Sequence, residues 1–234
     1  MFEMFDPMYW AFIIPGLLLS LFASWKTKST FNKYSRIRGS KGLTGAQAAE
    51  AMLQRNGVHD CRIERVGGML TDHYDPRNKT LRLSDEVYGS TSLSAIGVAC
   101  HEAGHALQHA NSYAFLTMRS KMVPLVGVCS NLGYIIIIAS LFFMQNKTGV
   151  LIGCVLFATS TLFSIITLPV EWDASARAKR AMVTAGLLSP QETSHAGKVL
   201  NAAFLTYLAS AISSIMVLLY YLWRSGLIGG NSDD

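Results

Sequence analysis

Charged residues are scarce in this chain. Only 15% of its 234 residues are Asp, Glu, Lys or Arg, and half are hydrophobic, whereas a soluble globular domain carries about 25% charged residues. Much of the chain is therefore predicted not to face water. The net charge of +5 includes no run of five like charges and no alternation of basic with aromatic residues, so no nucleic-acid partner is expected.

Cysteine is also sparse, and its spacing excludes two kinds of structure. The four cysteines stand at Cys61, Cys100, Cys129 and Cys154, and no two of them form a CxxC pair. A zinc site of the cysteine type is therefore excluded. The pattern also gives no sign of a disulfide framework.

Long apolar stretches, by contrast, are present. A bilayer core requires about 20 apolar helical residues to cross it. Four stretches free of Lys, Arg, Asp, Glu and His meet this requirement: residues 8–25, 123–143, 150–168 and 204–223. They predict a mainly α protein with a four-helix transmembrane bundle. Because only residues 144–149 join the second stretch to the third, these two are expected to form a tight helical hairpin.

The first stretch is expected to be a permanent anchor rather than a cleaved signal peptide. The residues before it include Glu3 and Asp6 but no Lys or Arg, and no small-x-small cleavage site follows it. The N-terminus is accordingly expected on the outside.

The distribution of Lys and Arg predicts the orientation of the chain in the membrane. Residues 26–122 carry fourteen of the 20 basic side chains and residues 169–203 carry four, while one lies in the 144–149 turn and one in the C-terminal tail. Basic residues stay on the cytoplasmic side. Both long loops are therefore predicted in the cytoplasm and both termini outside.

One motif carries chemistry, and it lies in the first long loop. His101 and His105 are four residues apart in an HExxH sequence, so both imidazoles lie on one face of a helix and can reach one metal ion. Glu102 would act as general base on a metal-bound water. Ser92 is a plausible N-cap for this helix, and Gly104 inside it suggests a closely packed neighbour.

The third metal ligand is predicted to be Glu171 rather than His109. His109 lies two turns from His101, too far along a straight helix to share an ion easily. The HExxHxxGxxH alternative fails because Gln108 and Asn111 occupy its last two defined positions.

Glu171 follows the third apolar stretch, in a segment that looks helical from Pro169 onward. Ala174 and Ala178 lie on the same helix face as Glu171. Because their side chains are small, this face could approach the HExxH helix closely. Two membrane crossings separate His105 from Glu171, so both lie on the same side. The alternative is that Glu171 only pairs with nearby arginines.

The chain resembles the YugP-type neutral zinc metallopeptidases of bacterial membranes, and more distantly the HtpX-like and CAAX-processing membrane gluzincins. The resemblance covers nearly the whole chain and rests on five segments: residues 72–76, 79–84, the motif at His101, residues 169–175 and residues 200–207. It implies Zn²⁺ as cofactor, His101, His105 and Glu171 as its ligands, Glu102 as catalytic base, and hydrolysis of peptide bonds at the cytoplasmic face.

Four further residues are candidates for supporting roles. Asp173 either orients a histidine ligand or forms a salt bridge to the local arginines. His195, Tyr207 and Arg177 are candidates for stabilising the oxyanion formed after water attack, and Arg177 also lies close enough in sequence to support the metal site indirectly.

The remaining polar regions are predicted to form a cytoplasmic, zincin-like α+β catalytic domain. It would combine residues 26–122 with residues 169–203, the second segment supplying the third ligand. Residues 69–83 predict a hairpin whose edge could hold an extended substrate. Residues 44–56 predict a short capped helix.

Two functions are compatible with these features. The first is a zinc endopeptidase that acts on a polypeptide substrate in or near the membrane, for example in protein quality control. The second is a non-catalytic scaffold or partner-binding subunit with a structural zinc. Small residues spaced four apart in the last apolar stretch allow contacts within the bundle, with another copy or with a regulatory membrane partner.

Overall fold

A computed structural model describes residues 6–68 and 71–229, and these residues are mainly helical. The helices are α1 (Pro7–Tyr34), α2 (Gly45–Arg55), α3 (Asp85–Tyr88), α4 (Leu93–Ala110), α5 (Ala114–Ala139), α6 (Lys147–Thr184) and α7 (Pro190–Arg224). The strands are β1 (Arg62–Val66), β2 (His73–Asp75) and β3 (Thr80–Ser84). A short π-helical segment, Ser140–Met144, continues α5.

Four helices within the described residues are long and apolar enough to cross a membrane: α1, α5 with its π-helical continuation, α6 and α7. Each contains one of the four predicted apolar stretches, so the predicted number of membrane helices is confirmed at the level of length and composition. Each helix also extends beyond its apolar stretch into more polar sequence. In α1, for example, the helix continues nine residues past Trp25, to Tyr34.

The prediction that a new helix starts near Pro169 is wrong. Helix α6 is continuous from Lys147 to Thr184 and contains Pro169 in its interior. Proline lacks an N–H and so removes one hydrogen bond from the helix, but the long flanking segments keep the helix intact. Glu171 is therefore carried by the same helix that contains the third apolar stretch.

Contacts divide the chain into two compact units. The first comprises the most apolar parts of the four long helices, with described residues 6–22, 118–168 and 207–229. Within it, α5 and α6 form the predicted hairpin, and a Cβ atom on Gly133 would lie 2.7 Å from the Gly153 carbonyl oxygen. A Cβ atom on Gly16 would likewise lie 2.7 Å from Ser213 Oγ. Ser213, one of the small residues of α7, therefore packs against α1 within this unit.

The second unit contains residues 23–117 and 169–206. Its core packs α2, α4 and β3 against the polar ends of α6 and α7, with alanines at many of the buried positions. The predicted caps are confirmed: Thr44 and Gln47 form a capping box on α2, and the Ser92 side chain accepts a hydrogen bond from the Ala95 N–H at the start of α4. Gly57 ends α2 with a φ of +76°.

A three-stranded sheet lies in the second unit, in the order β1-β3-β2. Strands β2 and β3 pair antiparallel and form the predicted hairpin, whereas β1 pairs with β3 in parallel. The Asp75 carboxylate accepts a hydrogen bond from the Arg77 N–H and so closes the turn. Met69 and Leu70, at the predicted start of the hairpin, lie outside the described residues.

Candidate metal centre

Helix α4 carries the HExxH motif on its buried side. His105 and Glu102 are buried, and the His101 side chain is 13% exposed. The two imidazole rings lie edge to face, with centroids 4.8 Å apart. The helical spacing of four residues thus places both rings on one face, as predicted.

Close approach of two helix backbones brings α6 to this face. A Cβ atom on Gly104 would lie only 2.5 Å from the Ala174 carbonyl oxygen, so no residue larger than glycine fits there without movement. Ala174 and Ala178 are fully buried. The small residues on both helices explain how Glu171, one turn before Ala174, reaches the histidines.

The three predicted ligands converge. Glu171 Oε2 lies 3.1 Å from His101 Nε2 and 3.5 Å from His105 Nε2, and one ligand atom from each residue lies within 4.8 Å of the others. Ligand atoms around a tetrahedral zinc ion, each bonded at about 2.0–2.1 Å, lie about 3.4 Å apart. Two imidazoles and one carboxylate are also a donor set that suits zinc. The residues present therefore fit a zinc ion.

Gln108 fixes the orientation of His105. Its amide nitrogen donates to the Val170 carbonyl and to Asp173 Oδ2, both at 2.8 Å. Its amide oxygen therefore faces His105 Nδ1, 3.0 Å away. Because that oxygen can only accept, Nδ1 of His105 carries a proton, and a neutral His105 has its lone pair on Nε2, facing Glu171.

His101 has a corresponding partner in α6. Its Nδ1 atom lies 3.0 Å from the Ser175 hydroxyl oxygen, and Ser175 is buried. A metal-binding histidine usually donates its second N–H to such an acceptor. Both histidines thus direct Nε2 toward Glu171 and Nδ1 toward an anchoring side chain.

Asp173 contacts residues that bear on both of its predicted alternatives. It accepts a hydrogen bond from Gln108, through which it acts on His105, and it forms an ion pair with Arg177, whose Nε lies 2.6 Å away. Arg177 in turn stacks over the ring of Tyr113, at 5.7 Å. A chain of contacts therefore runs from Arg177 through Asp173 and Gln108 to His105.

The charge of Glu171 changes the titration of His105. Burial alone would lower the pKa of His105, but the hydrogen bond to Glu171 and its negative charge outweigh burial and raise the pKa above its ordinary value. In the metal-free protein, His105 is therefore protonated more readily than a free histidine.

Glu102 is 8% exposed and stands next to His101 in α4. Within the described part of the chain its carboxylate makes no hydrogen bond or ion pair. Its negative charge contributes to the raised pKa of His105, so the carboxylate lies close enough for its charge to affect this imidazole. A carboxylate without a structural partner is available for proton transfer.

The other predicted residues lie elsewhere. His109 is half-buried and bonds through Nδ1 to the Tyr74 hydroxyl, 2.8 Å away, in agreement with its exclusion as a ligand. His195 stacks on Tyr34, with ring centroids 5.2 Å apart. Tyr207 belongs to the first unit. The oxyanion roles of His195, Tyr207 and Arg177 stay predictions.

Gln108 and Ser175 are the residues that sequence reasoning missed. From the sequence, Gln108 only excludes the HExxHxxGxxH motif, and Ser175 only belongs to one of the segments that carry the family resemblance. A signal for Gln108 was present, because it lies three residues after His105, where helix geometry places it beside that ring. For Ser175 the sequence indicates only that it shares a helix face with Glu171, four residues earlier. It does not indicate that Ser175 lies beside His101.

Comparisons with known proteins identify the family to which the chain is similar. A family model described as "Putative neutral zinc metallopeptidase" matches residues 9–226. The chain is 44% identical over 210 residues to the "Putative membrane protease YugP" of Bacillus subtilis (strain 168), which covers 89% of this chain and 92% of the relative. No solved structure matches the chain.

Proposed function

Because this chain belongs to the neutral zinc metallopeptidase family, we propose that it is a membrane-embedded zinc endopeptidase whose active site is formed by His101, His105, Glu171 and Glu102. The observation that carries the proposal is the convergence of two imidazole Nε2 atoms and one carboxylate oxygen at zinc-like separations. The buried carboxylate of Glu102, which has no partner among the described residues, stands beside them in α4.

The proposed reaction divides the work between the ion and the chain. Zinc held by these three side chains would polarise the scissile carbonyl and lower the pKa of a water molecule. Glu102 accepts a proton from the attacking water and then donates it to the leaving amine. Gln108 and Ser175 keep the two imidazoles in place during these transfers.

The number of candidate protein ligands favours a catalytic zinc site over a structural one. A structural zinc site normally has four protein ligands, whereas a catalytic site has three and leaves one position for water. Among the described residues the group that could hold a metal has three members. The scaffold alternative would require a fourth protein ligand.

We propose that the substrate is a polypeptide in or near the membrane and that it is cut on the cytoplasmic side, in a role such as quality control of membrane proteins. Four membrane-crossing helices support the membrane setting, and the concentration of basic residues in the two loops supports the side. The β2–β3 hairpin supports an extended substrate, since Tyr74 of β2 contacts His109 of the HExxH helix and β2 is an edge strand.

Glu102→Gln tests the proposal. The variant keeps the shape of the side chain and the three ligands, so zinc content should stay at the wild-type level. Cleavage of fluorescein-labelled casein by the purified protein in detergent should fall about 10²- to 10⁴-fold, because the general base is lost.

His105→Ala serves as the matched comparison, since it should lose both zinc and cleavage. Polypeptides that co-purify with the Glu102→Gln protein from membranes would identify substrates. Wild-type cleavage by Glu102→Gln with zinc bound, or a cellular role that survives this substitution, would contradict the proposal and favour the scaffold.

A further inference from the structure

A cavity of about 500 Å³ lies in the second unit, between the polar end of α1 and the start of the apolar part of α7. It is lined by Lys26, Ser29, Thr30, Lys33, Tyr34, Lys198, Asn201, Ala202 and Leu205. The Thr27 hydroxyl donates to the Ala202 carbonyl, 2.9 Å away, and so holds the two helices together at this point. This cavity is separate from the metal centre.

The cavity is positively charged and has no built-in counter-charge. Three lysines line it, Lys26, Lys33 and Lys198, and no Asp or Glu does. None of the three forms an ion pair within the described residues, although Lys33 lies over the ring of Tyr34. Three cationic side chains that line one cavity without an acidic partner attract an anion.

Tyr34 adds a hydrogen-bonding group to the cavity. The residue as a whole is only 4% exposed, but its hydroxyl makes no hydrogen bond to any residue in the described part of the chain. The hydroxyl is therefore available to a ligand. Together with Ser29, Thr30 and Asn201, it offers neutral donors that suit the oxygens of a phosphate group.

The position of the lining residues along the chain indicates which kind of phosphate compound the cavity would bind. Lys26 directly follows the apolar stretch 8–25, and Leu205 lies at the beginning of the apolar stretch 204–223. Trp25, at the end of the first stretch, is 62% exposed, and tryptophan is enriched at membrane interfaces. The cavity therefore lies at the level of the chain where lipid headgroups would be found, and basic pockets between membrane helices suit anionic headgroups.

We propose that this cavity binds the phosphate headgroup of an anionic phospholipid, with Lys26, Lys33 and Lys198 supplying the charge and Tyr34 a hydrogen bond. The bound lipid joins α1 to α7 and adds to the hydrogen bond that the Thr27 hydroxyl donates to the Ala202 carbonyl.

Native mass spectrometry of the full-length protein in detergent tests the proposal by lipid titration. Dioleoyl phosphatidylglycerol should bind more tightly than dioleoyl phosphatidylcholine, which has the same acyl chains without net charge. Lys33→Gln combined with Lys198→Gln should weaken the phosphatidylglycerol affinity on the order of 30-fold. Lys33→Arg combined with Lys198→Arg should retain it, and Tyr34→Phe should weaken it while preserving the ring packing.

Lys121→Gln combined with Arg180→Gln is the matched control, since it removes the same charge from two exposed residues that do not line the cavity. Equal binding of the two lipids, or an equal loss of affinity in the control pair, would overturn the proposal. So would equally tight binding of sn-glycerol 3-phosphate, which carries the phosphate without acyl chains. Helical circular dichroism and the melting temperature of each variant show whether it is folded.

Discussion

Gln108 is the residue on which the geometry of His105 depends. It accepts from the imidazole and donates to two oxygens of α6, so its loss would leave His105 free to rotate and would remove both of these contacts with α6. We expect Gln108→Ala to weaken zinc binding about 10- to 100-fold. Zinc titration against a fluorescent chelator measures this change.

A matched substitution tests whether the loss of zinc affinity is specific to Gln108 or follows from removing any glutamine side chain. Gln54 lies on the exposed side of α2, and its side chain donates a hydrogen bond to Glu50, one turn earlier, so Gln54→Ala should leave zinc affinity unchanged. If Gln108→Ala bound zinc as tightly as the wild type, the positioning role of Gln108 would be wrong.

Gly104 determines how closely α4 approaches α6. Alanine favours a helix by up to about 1 kcal/mol over glycine, but here its Cβ atom would meet the Ala174 carbonyl at 2.5 Å. We expect Gly104→Ala to destabilise the protein by about 1–3 kcal/mol because the backbones must move apart. Thermal unfolding in detergent, followed by circular dichroism, measures it.

Gly127, in helix α5, is the control for this substitution. No heavy atom would lie within 4 Å of a Cβ atom there, so Gly127→Ala should be neutral or stabilising. A stabilised Gly104→Ala protein with normal zinc affinity would refute the close-packing explanation for the site.

At the scale of secondary-structure elements, Glu192 joins the start of α7 to the segment between α1 and α2. Ser189 and Glu192 form a reciprocal cap, and the same carboxylate accepts from the Ser40 N–H, 2.6 Å away. Partial burial opposes ionisation, but the N–H groups of Ser189 and Ser40 outweigh it and lower the pKa of Glu192 to about 2.

The lowered pKa predicts how stability depends on pH. A carboxylate with a pKa near 2 when folded and about 4.5 when unfolded stabilises the fold fully above pH 4.5. This contribution is lost as the pH falls from 4.5 toward 2. Melting temperatures across this range should show Glu192→Gln less stable than the wild type at neutral pH, with the difference vanishing near pH 2. A difference independent of pH would exclude the ionised carboxylate as its source.

At the scale of the whole molecule, the distribution of charge predicts the orientation in the membrane. Fourteen basic side chains in residues 26–122 and four in residues 169–203 favour the cytoplasm for both loops. We expect a C-terminal fusion to alkaline phosphatase to be active and the corresponding green fluorescent protein fusion to be dark in a bacterial host. The opposite pattern would place the metal centre outside the cell.

How far the sequence predicts the fold depends on the range of the interactions. The four apolar helices, the caps at Thr44 and Ser92 and the β2–β3 hairpin follow from local patterns, because each depends on residues close together in the chain. The pairing of β1 with β3 in parallel and the continuity of α6 through Pro169 were not predicted. Both depend on contacts that local propensity does not encode.

The sequence by itself determined which residues are candidates for the metal centre. Two histidines and a glutamate at helical spacing predict two ligands and a base, since the geometry of one helix is enough to place them. Glu171 could be selected as the third ligand from its position after an even number of crossings and from the small residues on its face.

Only the tertiary structure decided how the ligands are held. Gln108, Asp173 and Ser175 act across the α4–α6 contact, and which of their atoms face each imidazole depends on how closely the two backbones approach at Gly104 and Ala174. The basic cavity between α1 and α7 likewise unites residues about 170 positions apart. Such groupings arise from packing of distant segments, which no local sequence pattern specifies.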